Sequence, residues 1–236
     1  MKKNVILLSL LGIIVIPGIA LAASISGKVV FNGKVPGLKP LDMNADPMCA
    51  AHHKTPPMVE ILVLGDGNSL ANVFVSVASG LPQGKTYAAP KQAVTIDQNG
   101  CMYIPHVFGV MAGQPVVFKN SDGIMHNIHA LPEKNRQFNA AMPGTLKETS
   151  KMFDKAESYF KIKCDVHPWM GAWARVMDHP YFQVTDKKGI FTIADLPAGT
   201  YEIEAWHEKL GVQKSKVTVG DKESKTLNFT FTAPSK

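Results

Sequence analysis

The apolar positions of this chain fall in short runs, at residues 24–32, 59–63, 73–78, 93–96, 115–119, 159–163, 189–193, 201–207, 214–219 and 226–231. The runs are rich in Val, Ile, Phe and Thr and are separated by clusters of Gly, Pro, Asn and Asp. Short strands punctuated in this way predict antiparallel sandwiches rather than alternating helix and strand. The predicted fold class is all-β. Helix has little claim, and residues 147–156, which carry charges and few apolar side chains, read as a polar loop or a single turn.

One apolar stretch differs in kind. Lys2 and Lys3 precede the apolar residues 5–16, and Ala20-Leu21-Ala22 then offers small side chains to a signal peptidase. A membrane anchor is the rival reading, but the run is shorter than the ~20 residues a bilayer span needs and is broken by Pro17 and Gly18. Residues 1–22 are therefore expected to be a cleavable signal peptide that delivers the protein to the periplasm, with no stable membrane insertion afterwards. No Cys follows the run, which argues against a lipoprotein. The remaining chain, about 214 residues, can form one large or two small domains. Without the two signal lysines the formal charge falls from +6 to +4. The other lysines are scattered, so nucleic-acid binding has little support, and the mild charge suits solubility or an acidic partner.

In the C-terminal segment, Asp186-Lys187-Lys188-Gly189-Ile190-Phe191 is followed by Leu196-Pro197-Ala198-Gly199-Thr200-Tyr201. This resembles the second half of carboxypeptidase-regulatory-like domains, a "D-x-x-G-x-F" hairpin and an "L-P-x-G-x-Y" turn. Such domains are transthyretin-like β-sandwiches. Gly189 can close the hairpin at positive φ, and residues 197–199 can reverse the chain. The family's first half matches residues far upstream, Gly27-Lys28-Val29 and Val73-Phe74-Val75-Ser76-Val77. The expected arrangement is one sandwich, residues 24–90 plus 180–236, interrupted by a second domain at residues 91–178. Two domains in tandem are the alternative.

The chemistry lies in the inserted stretch. In residues 159–164 alternation puts Phe160, Ile162 and Cys164 on one face and Lys161 and Lys163 on the other. The loop Asp165-Val166-His167-Pro168-Trp169-Met170 follows, so a thiolate, an imidazole and a thioether lie within one turn of backbone. Soft sulfur with imidazole nitrogen suits copper, and two His, one Cys and a weak axial Met make a blue-copper site. Zinc has no use for Met170 and takes four strong ligands. A second histidine should come from another strand, and Met125-His126-Asn127-Ile128-His129 supplies two candidates. They lie three residues apart and face opposite sides of a strand, so only one can meet Cys164.

The pattern "G-x-x-V-x-F-x-N-x-D" at residues 113–122, then His126-Asn127-Ile128-His129 and Lys163-Cys164-Asp165-Val166-His167-Pro168-Trp169-Met170, resembles the cupredoxins. The loop spacing is most similar to the amicyanin-like members. The resemblance covers about residues 91–178 and implies a Greek-key β-sandwich holding one type 1 copper ion. It makes His126 the upstream copper ligand, Cys164 the thiolate, His167 the exposed edge histidine and Met170 the axial ligand. It also implies that the Asn127 backbone N–H donates to the ligand sulfur and that its side chain ties the ligand loops together. His129 is left as a surface residue or one that supports a ligand.

Three cysteines are an odd set for an oxidising compartment. With Cys164 assigned to the metal, Cys49 and Cys101 remain as the candidate disulfide. His52, His53, His106, His179 and His207 could form a second metal site or serve as hydrogen-bonded structural residues. Trp173 and Trp206 read as packing, and Trp169 as a shield for the metal edge or a face for a partner.

The expected function is an electron carrier, with a cytochrome or a periplasmic oxidoreductase as redox partner. An enzyme is not expected, because four protein ligands leave no open position. A two-copper centre would need two loop cysteines. The alternative is a periplasmic copper carrier or resistance protein, to which the dispersed Met43, Met48, Met58 and Met102 would be relevant. A third reading gives the main role to the transthyretin-like part as a binding module.

Overall fold

In a chain with little helix, buried backbone amides must find partners between strands. The computed structural model describes residues 23–233, so the expected signal peptide at 1–22 lies outside the described residues. After β1 (Ala23–Asn32) come helix α1 (Pro47–Ala51) and β2 (Phe74–Ser79). The middle of the chain holds β3 (Val94–Gln98), β4 (Tyr103–Ile104), β5 (Val107–Met111), β6 (Pro115–Asn120), β7 (His126–Ala130), β8 (Phe138–Met142), β9 (Glu148–Met152), β10 (Glu157–Lys163) and β11 (Gly171–Met177). The last part holds β12 (Phe182–Val184), β13 (Ile190–Leu196), β14 (Gly199–His207), β15 (Gly211–Val219), β16 (Ser224–Thr226) and β17 (Phe229–Thr232). The fold is all-β, a set of sandwiched sheets.

Strand pairing falls into two sets. One sheet runs β13-β1-β16, with β17 also on β1, and another runs β12-β2-β14-β15. Ile25, Val29, Phe31, Val75, Val77, Phe191 and Ile203 are buried between them. The middle strands form the sheets β5-β11-β10-β7-β8 and β4-β3-β6-β9. These enclose a separate core that includes Ile96, Tyr103, Val110, Phe118, Ile128 and Ile162. Among the described residues no sheet mixes β3–β11 with the other strands.

The two sets share a small third core of Phe74, Val107 and Met177, with Tyr159, Trp173, Phe182 and Trp206 packed against it. Gly109 on β5 permits this approach, since a Cβ there would lie 2.4 Å from Phe182 and 2.7 Å from Phe74. Across the same junction Arg175 Nη1 donates to Ser76 Oγ, Tyr159 OH and Glu204 Oε1 at 3.0, 2.5 and 3.0 Å. Tyr159 also stacks on Trp206 with ring centres 3.9 Å apart.

Several local expectations are corrected. Residues 147–156 are not a polar loop but contain β9, which pairs antiparallel with β6. Its residues alternate between exposed and half-buried, so hydrogen bonding to β6 forms a strand that carries no apolar signal. Residues 59–63 form turn and bend rather than strand, because only the two ends reach neighbouring backbone, Val59 N–H donating to Lys39 O and Val63 O accepting from Ala71 N–H, and only Leu62 of the run enters the core. The run 226–231 is split between β16 and β17. Helix α1 was not expected. It is built by Asp46, whose Oδ1 accepts from Met48 N and Cys49 N, with Pro47 at the first helical position.

Burial has a titratable consequence at the end of β14. His207 closes β14 at 1 % exposure, and burial pushes its imidazole down to about 4. In the unfolded chain the group takes up its proton near 6.5, so the unfolded state binds more protons between the two values. Stability is expected to be full above pH ~6.5 and to fall by about 3 kcal/mol as pH drops toward 4. Urea titrations across this range check it. His207→Asn keeps an acceptor for the Lys209 N–H (3.2 Å in the native chain) and should flatten the slope; an unchanged slope would assign it to another group.

Candidate metal centre

The candidate ligands sit where strands end. β10 and β11 pair antiparallel with Lys163 opposite Gly171, so residues 164–170 form a closed loop between them. Within it Cys164 N–H donates to Met170 O at 3.2 Å and Met170 N–H to His167 O at 2.9 Å. β7 pairs with β10, with His129 opposite Lys163, which brings the start of β7 and His126 beside the loop.

There the donor atoms converge. His126 Nδ1 lies 2.9 Å from His167 Nδ1, and Cys164 Sγ lies 3.8 Å from His167 Nδ1. One donor atom from each of the three residues fits within 4.8 Å of the others, and all three residues are buried. Met170, at 2 % exposure, closes the loop and shares a core with Cys164. His129 points elsewhere, to Asp165 Oδ2 at 2.8 Å, as its position three residues along the strand requires.

Two carboxylates that the sequence reading did not single out orient the imidazoles. His126 Nε2 donates to Asp122 Oδ2 at 2.9 Å, and His167 Nε2 to Asp46 Oδ2 at 3.0 Å. An ionised carboxylate only accepts, so each Nε2 carries its hydrogen and each neutral ring turns an Nδ1 lone pair toward the other. Two lone pairs and a thiolate facing one point demand a positive charge between them. In the metal-free protein a proton answers that demand. Burial, the largest influence, pulls His126 down, but hydrogen bonds to Asp122 and Cys164 outweigh it and lift the group to about 9. Burial pushes the Cys164 thiol up, yet the His126 hydrogen bond and the backbone N–H groups of Asn127, His167 and Val166 hold it below its ordinary value.

Asp122 serves more than His126. Its oxygens accept from Gly100 N at 2.5 Å and Cys101 N at 2.8 Å, both residues having positive φ, 64° and 53°. Asn127 ties the loops, with Oδ1 accepting from Asp165 N at 2.6 Å and Nδ2 donating to Asn139 Oδ1 at 2.5 Å. Tyr103 OH donates to Asn127 O at 2.5 Å from beneath. Cys49 and Cys101 form a disulfide with Cα atoms 5.5 Å apart, and Cys164 is free and buried.

His167 does not stand at an exposed edge. It is 2 % exposed, because Asp46 and α1, arriving from the loop between β1 and β2, lie over it. Residues far away in sequence produce this burial, and the spacing of the ligand loop could not reveal it. The remaining histidines are spent singly. His106 Nδ1 donates to Gly171 O at 3.0 Å and its Nε2 to Glu208 Oε1 at 2.5 Å. His53 Nε2 donates to Gly100 O at 2.7 Å, and His179 Nε2 to Val77 O at 3.1 Å. Among the described residues every cluster of potential donors involves His126 or His167, and His52, His53, His106, His179 and His207 belong to none of them.

No protein-family model and no curated protein matches this chain. Among solved structures it is similar to a copper-containing nitrite reductase from Thermus scotoductus, with 20 % identity and a TM-score of 0.35 over 44 % of this chain and 26 % of that one. A purple cupredoxin from Nitrosopumilus maritimus matches with 21 % identity and a TM-score of 0.30, over 36 % of this chain and 99 % of that one. Amicyanin from Paracoccus versutus matches with 22 % identity and a TM-score of 0.32, over 44 % and 97 %. The chain thus spans about a quarter of the nitrite reductase, and each match covers less than half of this chain. These neighbours are cupredoxins at low identity and partial coverage.

Two outcomes follow. Thiol titration of the denatured, metal-free protein should count one thiol, that of Cys164; three would remove the disulfide. Asp122→Ala should leave three buried donors without an acceptor and destabilise the metal-free protein by about 3 kcal/mol or more. A loss below ~1 kcal/mol in urea unfolding would mean that the carboxylate does not hold these loops together.

Proposed function

We propose that this protein is an exported type 1 copper protein that passes single electrons between periplasmic redox partners, a cytochrome or an oxidoreductase among them. One copper ion would be held by His126, Cys164 and His167, with Met170 as the weak axial ligand. The observation that carries the reading is the convergence of two Nδ1 atoms and one sulfur, with both Nε2 atoms tied to carboxylates. Metal bonds of about 2.0–2.3 Å put the donors of a trigonal set about 3.5–4 Å apart. The observed 3.8 Å from sulfur to nitrogen lies within that span, and the 2.9 Å between the two nitrogens is shorter than it. Two imidazoles, a thiolate and a nearby thioether are soft donors of the kind copper favours.

When bound, copper supplies one-electron chemistry by alternating between its two oxidation states. The chain's own residues keep the donors still while that happens. Asp122 and Asp46 fix the tautomer and the tilt of each ring, and such outer partners raise ligand basicity. Backbone N–H groups of Asn127, Val166 and His167 hold the sulfur in its charged form. Burial of Cys164, His126 and His167 excludes water. The burial of these donors weighs against a protein that hands its metal on. We read residues 91–178 as the copper domain, inserted in a transthyretin-like sandwich of residues 24–90 and 180–236.

Protein loaded with Cu(II) should be intensely blue and should cycle between oxidised and reduced forms without losing copper. Cys164→Ser should abolish the colour, because a hydroxyl cannot replace the thiolate donor. His126→Ala should disrupt the site, whereas His129→Ala should leave the band largely intact. Met170→Gln should keep copper and shift the potential, since a weak axial ligand tunes rather than holds. Stoichiometric uptake of Cu(II) without colour, or a blue Cys164→Ser protein, would overturn the reading.

A further inference from the structure

The loop from residue 33 to residue 73 joins two strands of the outer sandwich, yet its middle leaves that sandwich. Met43 and Cys49 are buried in the core of β3–β11, with Leu41 and Ala50 packed against it. Its polar contacts fall on the metal-binding end. Asp46 Oδ2 accepts from His167 Nε2 at 3.0 Å, His53 Nε2 donates to Gly100 O at 2.7 Å, and His52 lies 3.8 Å from Asp122. The disulfide then joins Cys49 of α1 to Cys101, whose amide binds the same Asp122 that orients His126.

Asp165, Val166 and Pro168 of the ligand loop are exposed. Val166 is 47 % exposed, while His167 beside it is 2 % exposed. The difference lies in what covers His167. Asp46 divides its two oxygens, Oδ1 capping α1 through Met48 N at 2.9 Å and Oδ2 holding the imidazole. The helix, the carboxylate and the ligand are thus fixed together, and the disulfide pins the helix.

We propose that residues 41–53 are a clasp over the metal centre, in which Asp46 is a positioning residue for His167 and the Cys49–Cys101 disulfide keeps Asp46 in place. The clasp sets how fast metal leaves the site. Both cysteines are 0 % exposed, so the clasp is a permanent fastening and not a thiol-operated gate. The proposal rests on the copper reading for its rate measurement and on the polypeptide alone for the rest.

The test uses the full chain and two changes. Asp46→Asn retains one acceptor oxygen, enough for the helix cap, but turns an NH₂ group toward the Nε2–H of His167. Cys49→Ser with Cys101→Ser removes the fastening. In copper-loaded protein, loss of blue absorbance to excess EDTA should be about tenfold or more faster in each variant than in the wild type, each rate being taken relative to that variant's own initial band. Combining all three changes should be no faster than the disulfide variant, because both act through one clasp. In metal-free protein, amide hydrogen exchange over residues 42–57 should speed up about tenfold in Asp46→Asn, as loss of one charge-assisted hydrogen bond implies, and protection should vanish in the disulfide variant. Wild-type release rates in Asp46→Asn, or native protection of residues 42–57 without the disulfide, would overturn the clasp. Should the wild type take up no copper, the copper reading fails, and the metal-free exchange still decides whether the clasp exists.

Discussion

A carboxylate buried from water must be repaid by donors, and the metal-binding end is organised around one that is. Asp122, with its side chain 1 % exposed, gathers the amides of Gly100 and Cys101 and the Nε2–H of His126. Burial alone would raise its pKa, but these donors hold it below the usual carboxylate range. Its charge is therefore available to set the tautomer of His126, and the His126 hydrogen bond in turn helps to lower the Cys164 thiol against the effect of burial. An apolar side chain at this position would leave two successive left-handed residues without partners for their amides. The same carboxylate thus supports the Gly100–Cys101 turn, the disulfide that starts there and the ligand histidine.

The second carboxylate, Asp46, has a different origin. Asp122 lies four residues before His126 in the same set of strands, whereas Asp46 arrives from a loop of the other sandwich. The two sandwiches touch through Phe74, Tyr159 and Trp206, and the loop crosses from one to the other. Completion of the His167 environment consequently depends on both sandwiches. Metal affinity and folding are coupled through such contacts, because a preformed site exists only in the folded chain.

What the sequence revealed follows from what is local. Alternation in residues 159–164 puts Cys164 inward, the short loop brings His167 and Met170 after it, and the three-residue offset separates His126 from His129. Each is a statement about neighbours along one strand or turn. β9 escaped notice because neither of its faces is buried enough to select apolar residues, and residues 59–63 misled because apolar composition without a partner paired along its length does not make a strand. The burial of His167 was illegible for a further reason, that Asp46 stands 121 positions away in sequence. A trace of it was present. Asp46-Pro47 is a helix-start signature three residues before a cysteine already paired in the reading, so a capped turn fastened near the metal end could have been inferred. Its contact with His167 could not.

Loop length supplies the last step. Residues 33–73 contain one short helix and one 3₁₀ turn between β1 and β2, and segments of that length with so little structure are uncommon in compact domains unless they have work to do. A shorter crossover between the two sheets would join the same strands at a smaller entropic cost, since closing a loop becomes costlier with each residue added. The long path is retained where its contacts offset that cost, and here those contacts concentrate on His167, Gly100, Cys101 and Asp122. Cys49 repays part of it through the disulfide, which removes freedom from the unfolded chain, and Asp46 repays part through a charge-assisted hydrogen bond. Both are spent on the same imidazole and the turn beneath it. The loop is therefore better understood as a third wall of the candidate metal centre, contributed by the sandwich of β1 and β2, than as a connection that happens to lie across it.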